Sequence, residues 1–204
     1  DATGDGDLAA LCHVGFDKGR PSDGYTQPMS MIFKVGGIDF GKVISYMRQN
    51  PEQFILHKDY KQLDRYLAVS GFFDIVRLAK ACGDFNIPRD RILFFQGLHP
   101  GEAFINTSRI IKLSGLSSHD QTIAETEAAR QVEELLTFFR KYLPGFESSY
   151  LAAIADVTGV RESRRIHGRY TLTVEDVYEE RTSSEGVAVC AFPIDIHDPT
   201  GADL

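Results

Sequence analysis

The sequence predicts an α+β fold: a largely antiparallel sheet with several packed helices. Three observations predict it. Short β-rich runs recur along the chain without the regular strand–helix alternation of a parallel sheet. One long amphipathic segment spans 120–142. The 204 residues are 43% hydrophobic and 25% charged, the balance of a globular chain with a sizeable core.

The elements follow in order. Leu8 to Cys12 is a short apolar run suited to the first turns of a helix. GFDKGRPSDGYTQP is a loop, with three glycines and two prolines in fourteen residues. MSMIFKV places Met29, Met31, Phe33 and Val35 on one face of a strand, broken by Gly36-Gly37. FGKVISYMRQNP reads as a helix stopped at Pro51. From Leu63 to Cys82, Leu67, Phe72, Ile75, Val76 and Leu78 follow mostly helical spacing, with Gly71 as an interruption. Phe72-Phe73 and Phe94-Phe95 read as core. RILFFQG and EAFINTSRI form a hairpin across LHP and a glycine.

The long helix from about Asp120 to Tyr142 carries Ile123, Val132, Leu135, Leu136 and Phe139 on one stripe, and Pro144-Gly145 ends it. SSYLAAIADVTG reads as a second helix, capped by Ser148 or Ser149 and closed at Gly159. RESRRIHGRYTLT is a strand or hairpin bending at Gly168. Thr173 with Glu175-Asp176 starts a short acidic helix, and VAVCAFPIDIHDPTG closes as a β-rich segment.

Composition narrows the function. A net charge of −7 argues against a nucleic-acid partner, since the one dense basic cluster, 161–169, is local. No stretch reaches the roughly 18 consecutive apolar residues of a membrane-spanning helix. The three cysteines, Cys12, Cys82 and Cys190, are far apart and show no CxxC spacing. A reducing, cytoplasmic setting is therefore expected, with no metal site.

The opening DATGDGDLAA allows three chemistries. As a calcium loop it fails at Cys12, where a bidentate Glu is needed, and at Ala9, which brings no side-chain oxygen. As a Walker-type phosphate loop it lacks a Lys after Gly6. The third is a strand leaving into a glycine turn and then a helix. That turn either presents amides near Gly4 and Gly6 to a phosphate or is simply an Asp-capped turn.

DATGDGDLAALCHVGF, with GYTQPMSMIFKVGGID, resembles the bacterial FAD-dependent oxidoreductases of the FAD-oxidored family. INTSRI at 105–110 is similar to that family's VNxTR stretch. The helix ending in PGFE, the stretch GVRESRRIHGRYTLTVEDV, and FPIDIHDPTG, with Phe192 for a common Tyr, extend the resemblance in the same order. The resemblance implies a two-domain flavoprotein, with this chain as its substrate or cap domain. Residues 1–16 would end an FAD-binding segment and 17–204 would form the inserted domain. The GxGxxG fingerprint would lie before Asp1 and a second flavin-contacting segment after Leu204. The family's cofactor is FAD, near Thr3, Gly4, Asp5 and Gly6 in the parent enzyme, and this piece alone is expected to bind none tightly. The expected partners are a small-molecule substrate and the missing FAD-binding domain. An apolar face uncovered by that domain's loss would favour self-association.

The catalytic candidates are Arg161, Arg164 and His197; the substrate-binding candidates are Asn106, Arg109, Arg165, Tyr170 and Asp195. An extended strand would put Arg161, Ser163 and Arg165 on one face, where an Arg clamps a substrate carboxylate. His197 titrates in the range for proton transfer, and Asp195 would orient it. The blander alternatives are structural ion pairs of these arginines with Glu162, Glu175 and Asp176, a turn role for His197, and a hairpin role for Asn106 and Arg109. The remaining histidines read as structural or surface residues.

Three functions follow: the substrate-binding part of a flavin oxidoreductase, a non-catalytic binding module that kept the fold, or a metal-dependent hydrolase using Asp1, Asp5, Asp7 and the DIHD run.

Overall fold

The computed structural model describes residues 4–55, 67–184, 186, 188–190 and 194–201. Among them the architecture is α+β, with two antiparallel sheets. Helix α1 is Asp7–Leu11 and strand β1 is Phe16–Lys18. Then come β2 (Phe33–Gly36), α2 (Phe40–Gln49) and a 3₁₀ turn, Pro51–Gln53. Next are β3 (Ala68–Gly71), α3 (Phe73–Ala81), β4 (Ile92–Gln96) and β5 (Ala103–Ile105). The chain continues with α4 (Ser118–Tyr142), β6 (Tyr150–Ile154), β7 (Arg164–Ile166) and α5 (Val174–Tyr178). The larger sheet has the order β3-β4-β5-β2-β6, and β1 pairs with β7 separately.

Alternation decides which face of the large sheet is buried. Phe33 and Val35 of β2, Ile92 and Phe94 of β4, and Ala103 and Ile105 of β5 point inward. They meet one stripe of α4, where Ala124, Ala128, Val132, Leu135 and Phe139 are buried. Phe33 stacks on Phe139 at 6.4 Å between ring centroids, and Phe94 meets Phe146 edge-on at 5.5 Å. The predicted stripe is shifted by one position at its start. Ile123 is 42% exposed, and the small Ala124 and Ala128 make the close approach instead. Phe95, expected in the core beside Phe94, points to the opposite sheet face instead, because neighbours on a strand alternate sides; it and its register partner Phe104 are exposed.

The caps are local chemistry. Asp39 accepts from the Lys42 amide at 3.2 Å and Ser117 accepts from the Asp120 amide at 3.2 Å, each meeting one orphan donor of a first helical turn. Gly145, at φ 88°, ends the turn after α4 and lies so close to Asp39 that a Cβ would sit 2.4 Å from its carbonyl oxygen. This contact ties the end of α4 to the start of α2.

Four expectations need correction. Residues 150–154 form a strand, not a helix, because β2 offers an unpaired edge that they satisfy. The short Ala-containing run had too little intrinsic helix stability to resist. Gly36 makes room for it: a Cβ there would meet the Tyr150 ring at 2.6 Å. Residues 68–71 are also a strand. Leu67, Val69 and Gly71 alternate inward, a period of two that overlaps helical spacing over so short a run. Leu63 lies outside the described residues. The 15–28 loop contains the short strand β1. Finally, the described residues of 187–201 contain no strand, and at the end of the segment Asp198 makes a turn. Its side chain accepts from the Thr200 amide at 2.7 Å and its carbonyl from the Gly201 amide at 2.9 Å.

Candidate functional site

Arg109 lies in the buried polar run Thr107-Ser108-Arg109, immediately after β5. Each member has a backbone task. Thr107 Oγ1 accepts from the Leu93 amide at 2.9 Å, and Ser108 Oγ accepts from the Met31 amide at 2.7 Å. The Arg109 amide donates to Gln131 Oε1 at 2.7 Å, and Gln131 Nε2 donates back to the Arg109 carbonyl at 2.9 Å. These bonds hold the segment rigid between sheet and α4, so the Arg109 side chain leaves it in one direction. Its Nη1 donates to the Gly201 carbonyl at 2.8 Å, and its Nη2 lies 3.5 Å from His197 Nδ1.

The segment 194–201 is thereby docked. Gly201, at φ 89°, packs so tightly that a Cβ would lie 2.8 Å from Pro88 Cβ. Arg20 Nη1 pairs with Asp198 at 3.1 Å. The His197 amide donates to Gln27 Oε1 at 3.0 Å, and the Gln27 amide donates to Glu162 Oε2 at 2.8 Å. His197 Nε2 lies 3.5 Å from Asp195 Oδ1. Burial pushes the His197 pKa down first; the charges of Arg161, Arg109 and Arg89 push the same way, and Asp195 opposes them.

Arg161 lies near enough to this cluster for its charge to act on His197, and for that of Asp195 to act on it. Ser30 and Gly159 exchange backbone bonds of 3.1 and 2.8 Å, fixing the residues just before it. Val160 packs on Gly115, where a Cβ would lie 2.4 Å from Val160 Cγ1. Arg161 Nη2 donates to Ser30 Oγ at 3.0 Å and to Asn106 Oδ1 at 3.5 Å. Arg161 retains solvent access, yet protein surrounds its guanidinium closely enough that desolvation lowers its pKa against the pull of Asp195. Among the described residues it forms no ion pair with a carboxylate.

Five sequence-predicted residues therefore gather: Asn106, Arg109, Arg161, Asp195 and His197. Three others do not. Arg164 turns to Asp7 and the Asp5 carbonyl, and stacks over Phe16 at 5.4 Å. Arg165 pairs with Glu162 and donates to the Gly19 carbonyl at 2.7 Å. The expected shared face of Arg161, Ser163 and Arg165 does not form, because the strand begins only at Arg164. Tyr170 is 68% exposed and donates to Asp176 in the cap of α5.

Thr3 lies outside the described residues. Gly4, Asp5 and Gly6 dock on β7: Ser163 Oγ donates to the Gly4 carbonyl at 3.4 Å, and a Cβ on Gly6 would meet Ile166 at 2.8 Å. The Asp7 amide already donates to Asp5 Oδ1 at 3.1 Å. The Asp7 amide and the Gly6 surface are thus used inside the chain, while Gly4 has no neighbour within 4 Å of where a Cβ would stand.

Sequence reasoning missed Arg89, Gln27, Ser30 and Gln131. Only Gln131 left a signal. It is a polar residue in phase with the buried Ala124, Ala128 and Leu135 of α4, where burial requires partners.

A family model described as FAD dependent oxidoreductase matches residues 1–203 of this chain. Neither the curated proteins nor the solved structures gave a match.

Proposed function

The chain belongs to the FAD-dependent oxidoreductase family, and from that premise we propose that it supplies the substrate-binding side of such an enzyme, centred on Arg161 and His197. One observation carries this reading. Residues from 106–109, 161 and 195–197, distant in sequence, converge on one spot, and the groups that converge are suited to binding and proton transfer.

Each residue has a task in it. Arg161 binds the substrate, and Ser30 and Asn106 fix the guanidinium's plane. Arg109 holds the His197 segment through the Gly201 carbonyl and is a positioning residue. His197, its pKa lowered, is neutral near pH 7 and can accept the substrate's proton. Asp195 steadies the imidazolium so formed. The family's FAD is the redox group. Arg164 and Arg165 serve the scaffold, joining β7 to the Gly4–Asp7 turn and to the loop at Gly19.

Substrate-dependent flavin reduction tests the reading. Arg161→Gln and His197→Asn should each slow it by about a hundredfold while flavin content stays unchanged. Unaltered reduction in both variants would remove the site from the reaction.

A further inference from the structure

Resting on that reading, we infer that Gln27 is a positioning residue: it ties His197 to the frame that holds Arg161. Arg161 and its neighbour Glu162 grip one short segment at both ends. Arg161 Nη2 donates to Ser30 Oγ at 3.0 Å, and Glu162 Oε2 accepts from the Gln27 amide at 2.8 Å. The chain from Gln27 to Ser30 closes a hydrogen-bonded ring with the peptide that joins 161 to 162. From that ring the Gln27 side chain reaches outward, and its Oε1 accepts from the His197 amide at 3.0 Å. The two residues at the centre of the proposed site therefore share one support, residues 27–30.

A support sets a relationship only if it is itself fixed, and this one is tethered along its length. Thr26 Oγ1 donates to the Leu113 carbonyl at 3.3 Å. Met29 and Ile110 exchange backbone hydrogen bonds, each of 2.9 Å, and Ser30 is bridged to Gly159 in the same way. Pro28 is buried, and its ring restricts both its own φ and the backbone of Gln27. Glu162 is a firm anchor for the Gln27 end: its side chain is 13% exposed and its other oxygen pairs with Arg165. Arg20 and Arg109 also hold the 194–201 segment, but at residues 198 and 201. Gln27 holds the backbone of His197 itself.

The arrangement separates two tasks. Ser30 acts on Arg161, the group assigned to binding, and Gln27 acts on His197, the group assigned to proton transfer. Loss of the Ser30 hydroxyl leaves the bond from the His197 amide in place. Loss of Gln27 Oε1 leaves the bonds of Arg161 to Ser30 and Asn106 in place. A segment with a merely structural role would weaken both together. A proton acceptor that drifts from its donor loses rate steeply, since misplacement by ~1 Å can cost about a hundredfold.

The test compares Gln27→Leu, Gln27→Glu and Ser30→Ala in the flavin-loaded gene product. Two readouts need no substrate: hydrogen exchange at the His197 amide and NMR titration of the His197 ring. Gln27→Leu should speed exchange at His197 about tenfold, the loss of one hydrogen bond, with exchange at Phe33 unaltered. It should also move the ring's titration up toward the ordinary 6.5. Burial first, then Arg161, Arg109 and Arg89, now lower it against Asp195, and a loosened ring escapes that surrounding. Gln27→Glu keeps an acceptor oxygen and should restore slow exchange at His197. The third readout is flavin reduction by whichever small acid, alcohol or amine reduces the wild type. There Gln27→Leu should act mainly on the limiting rate, lowering it about tenfold. Ser30→Ala should act mainly on half-saturation, raising it about tenfold. Unaltered exchange at His197 in Gln27→Leu, exchange quickened at Phe33 as much as at His197, no recovery in Gln27→Glu, or a Gln27→Leu defect carried by half-saturation would each overturn the inference. Slowed reduction in Arg161→Gln and His197→Asn, with Gln27→Leu like wild type, overturns the inference and leaves the proposed function standing. Unaltered reduction in those two variants, with His197 exchange quickened in Gln27→Leu, overturns the proposed function and leaves Gln27 as the support of His197.

Discussion

Gln131 of α4 satisfies both backbone hydrogen-bonding groups of Arg109: it accepts from the amide at 2.7 Å and donates to the carbonyl at 2.9 Å. The side chain is 2% exposed, so water cannot replace either bond. One residue of the long helix therefore holds the backbone from which Arg109 reaches the His197 segment. Gln131→Leu leaves a buried amide and carbonyl without this partner. It should cost about 2 kcal/mol in urea unfolding, against a few tenths for Thr137→Ala on the exposed face of the same helix.

Gly201 makes the second support testable. Its φ of 89° disfavours a side chain, and so does the 2.8 Å separation that a Cβ there would have from Pro88. Gly201→Ala should cost about 1–3 kcal/mol locally. It should loosen the 194–201 segment more than it unfolds the protein. Hydrogen exchange should accelerate at the His197 and Gly201 amides, with the core strand amides of Phe33 and Phe94 unchanged.

The pH dependence follows from the sign of the His197 shift. Its folded-state pKa lies below the ordinary 6.5, because burial and neighbouring arginines disfavour the charged ring. In the window between the folded and unfolded values, the unfolded chain binds more protons, so stability rises with pH there. The neutral ring's contribution is complete above about pH 6.5 and declines as pH falls through that value toward the folded one. Arg161→Gln should raise the His197 titration and Asp195→Asn should lower it. NMR of the ring Hε1 signal reads both.

Asp176 shows the opposite sign. The Tyr170 hydroxyl first, then the Thr173 amide, hold its carboxyl at about 2, and Thr173 completes the capping box of α5. Asp176 is 4% exposed, shielded by this ring of close partners rather than by the core. Its stabilisation is present above the unfolded value of about 3.9 and is lost as pH falls toward 2. Acidification through that window should fray α5, seen as loss of the Asp176–Tyr178 amide protection, before β2 and α4 are affected. Asp176→Ala should fray it at neutral pH.

Much of the fold was legible, for reasons that differ by element. The inward set Met29, Met31, Phe33 and Val35 alternates over seven residues, long enough to tell a period of two from one of 3.6. Helix α4 declares itself by length, and α2 by its span to Pro51. Residues 150–154 were not legible, because what makes them a strand is the free edge of β2, more than a hundred residues earlier. In the candidate site, Arg, His and Asp could be nominated by their chemistry. Their sorting could not. Arg161 and Arg165 are four residues apart, yet one meets Ser30 and the other Gly19. That division is set by where β7 starts, and β7 starts where β1 can pair with it.

The proposal that Arg161 and His197 form the substrate side of a flavin oxidoreductase is tested most directly by one rate. That rate is anaerobic flavin reduction in the flavin-loaded gene product, followed against a panel of small acids, alcohols and amines, with wild type beside Arg161→Gln. Reduction by a member of the panel is expected in the wild type, with a loss of about a hundredfold in Arg161→Gln at equal flavin content. Equal reduction rates in the two proteins would contradict the proposal.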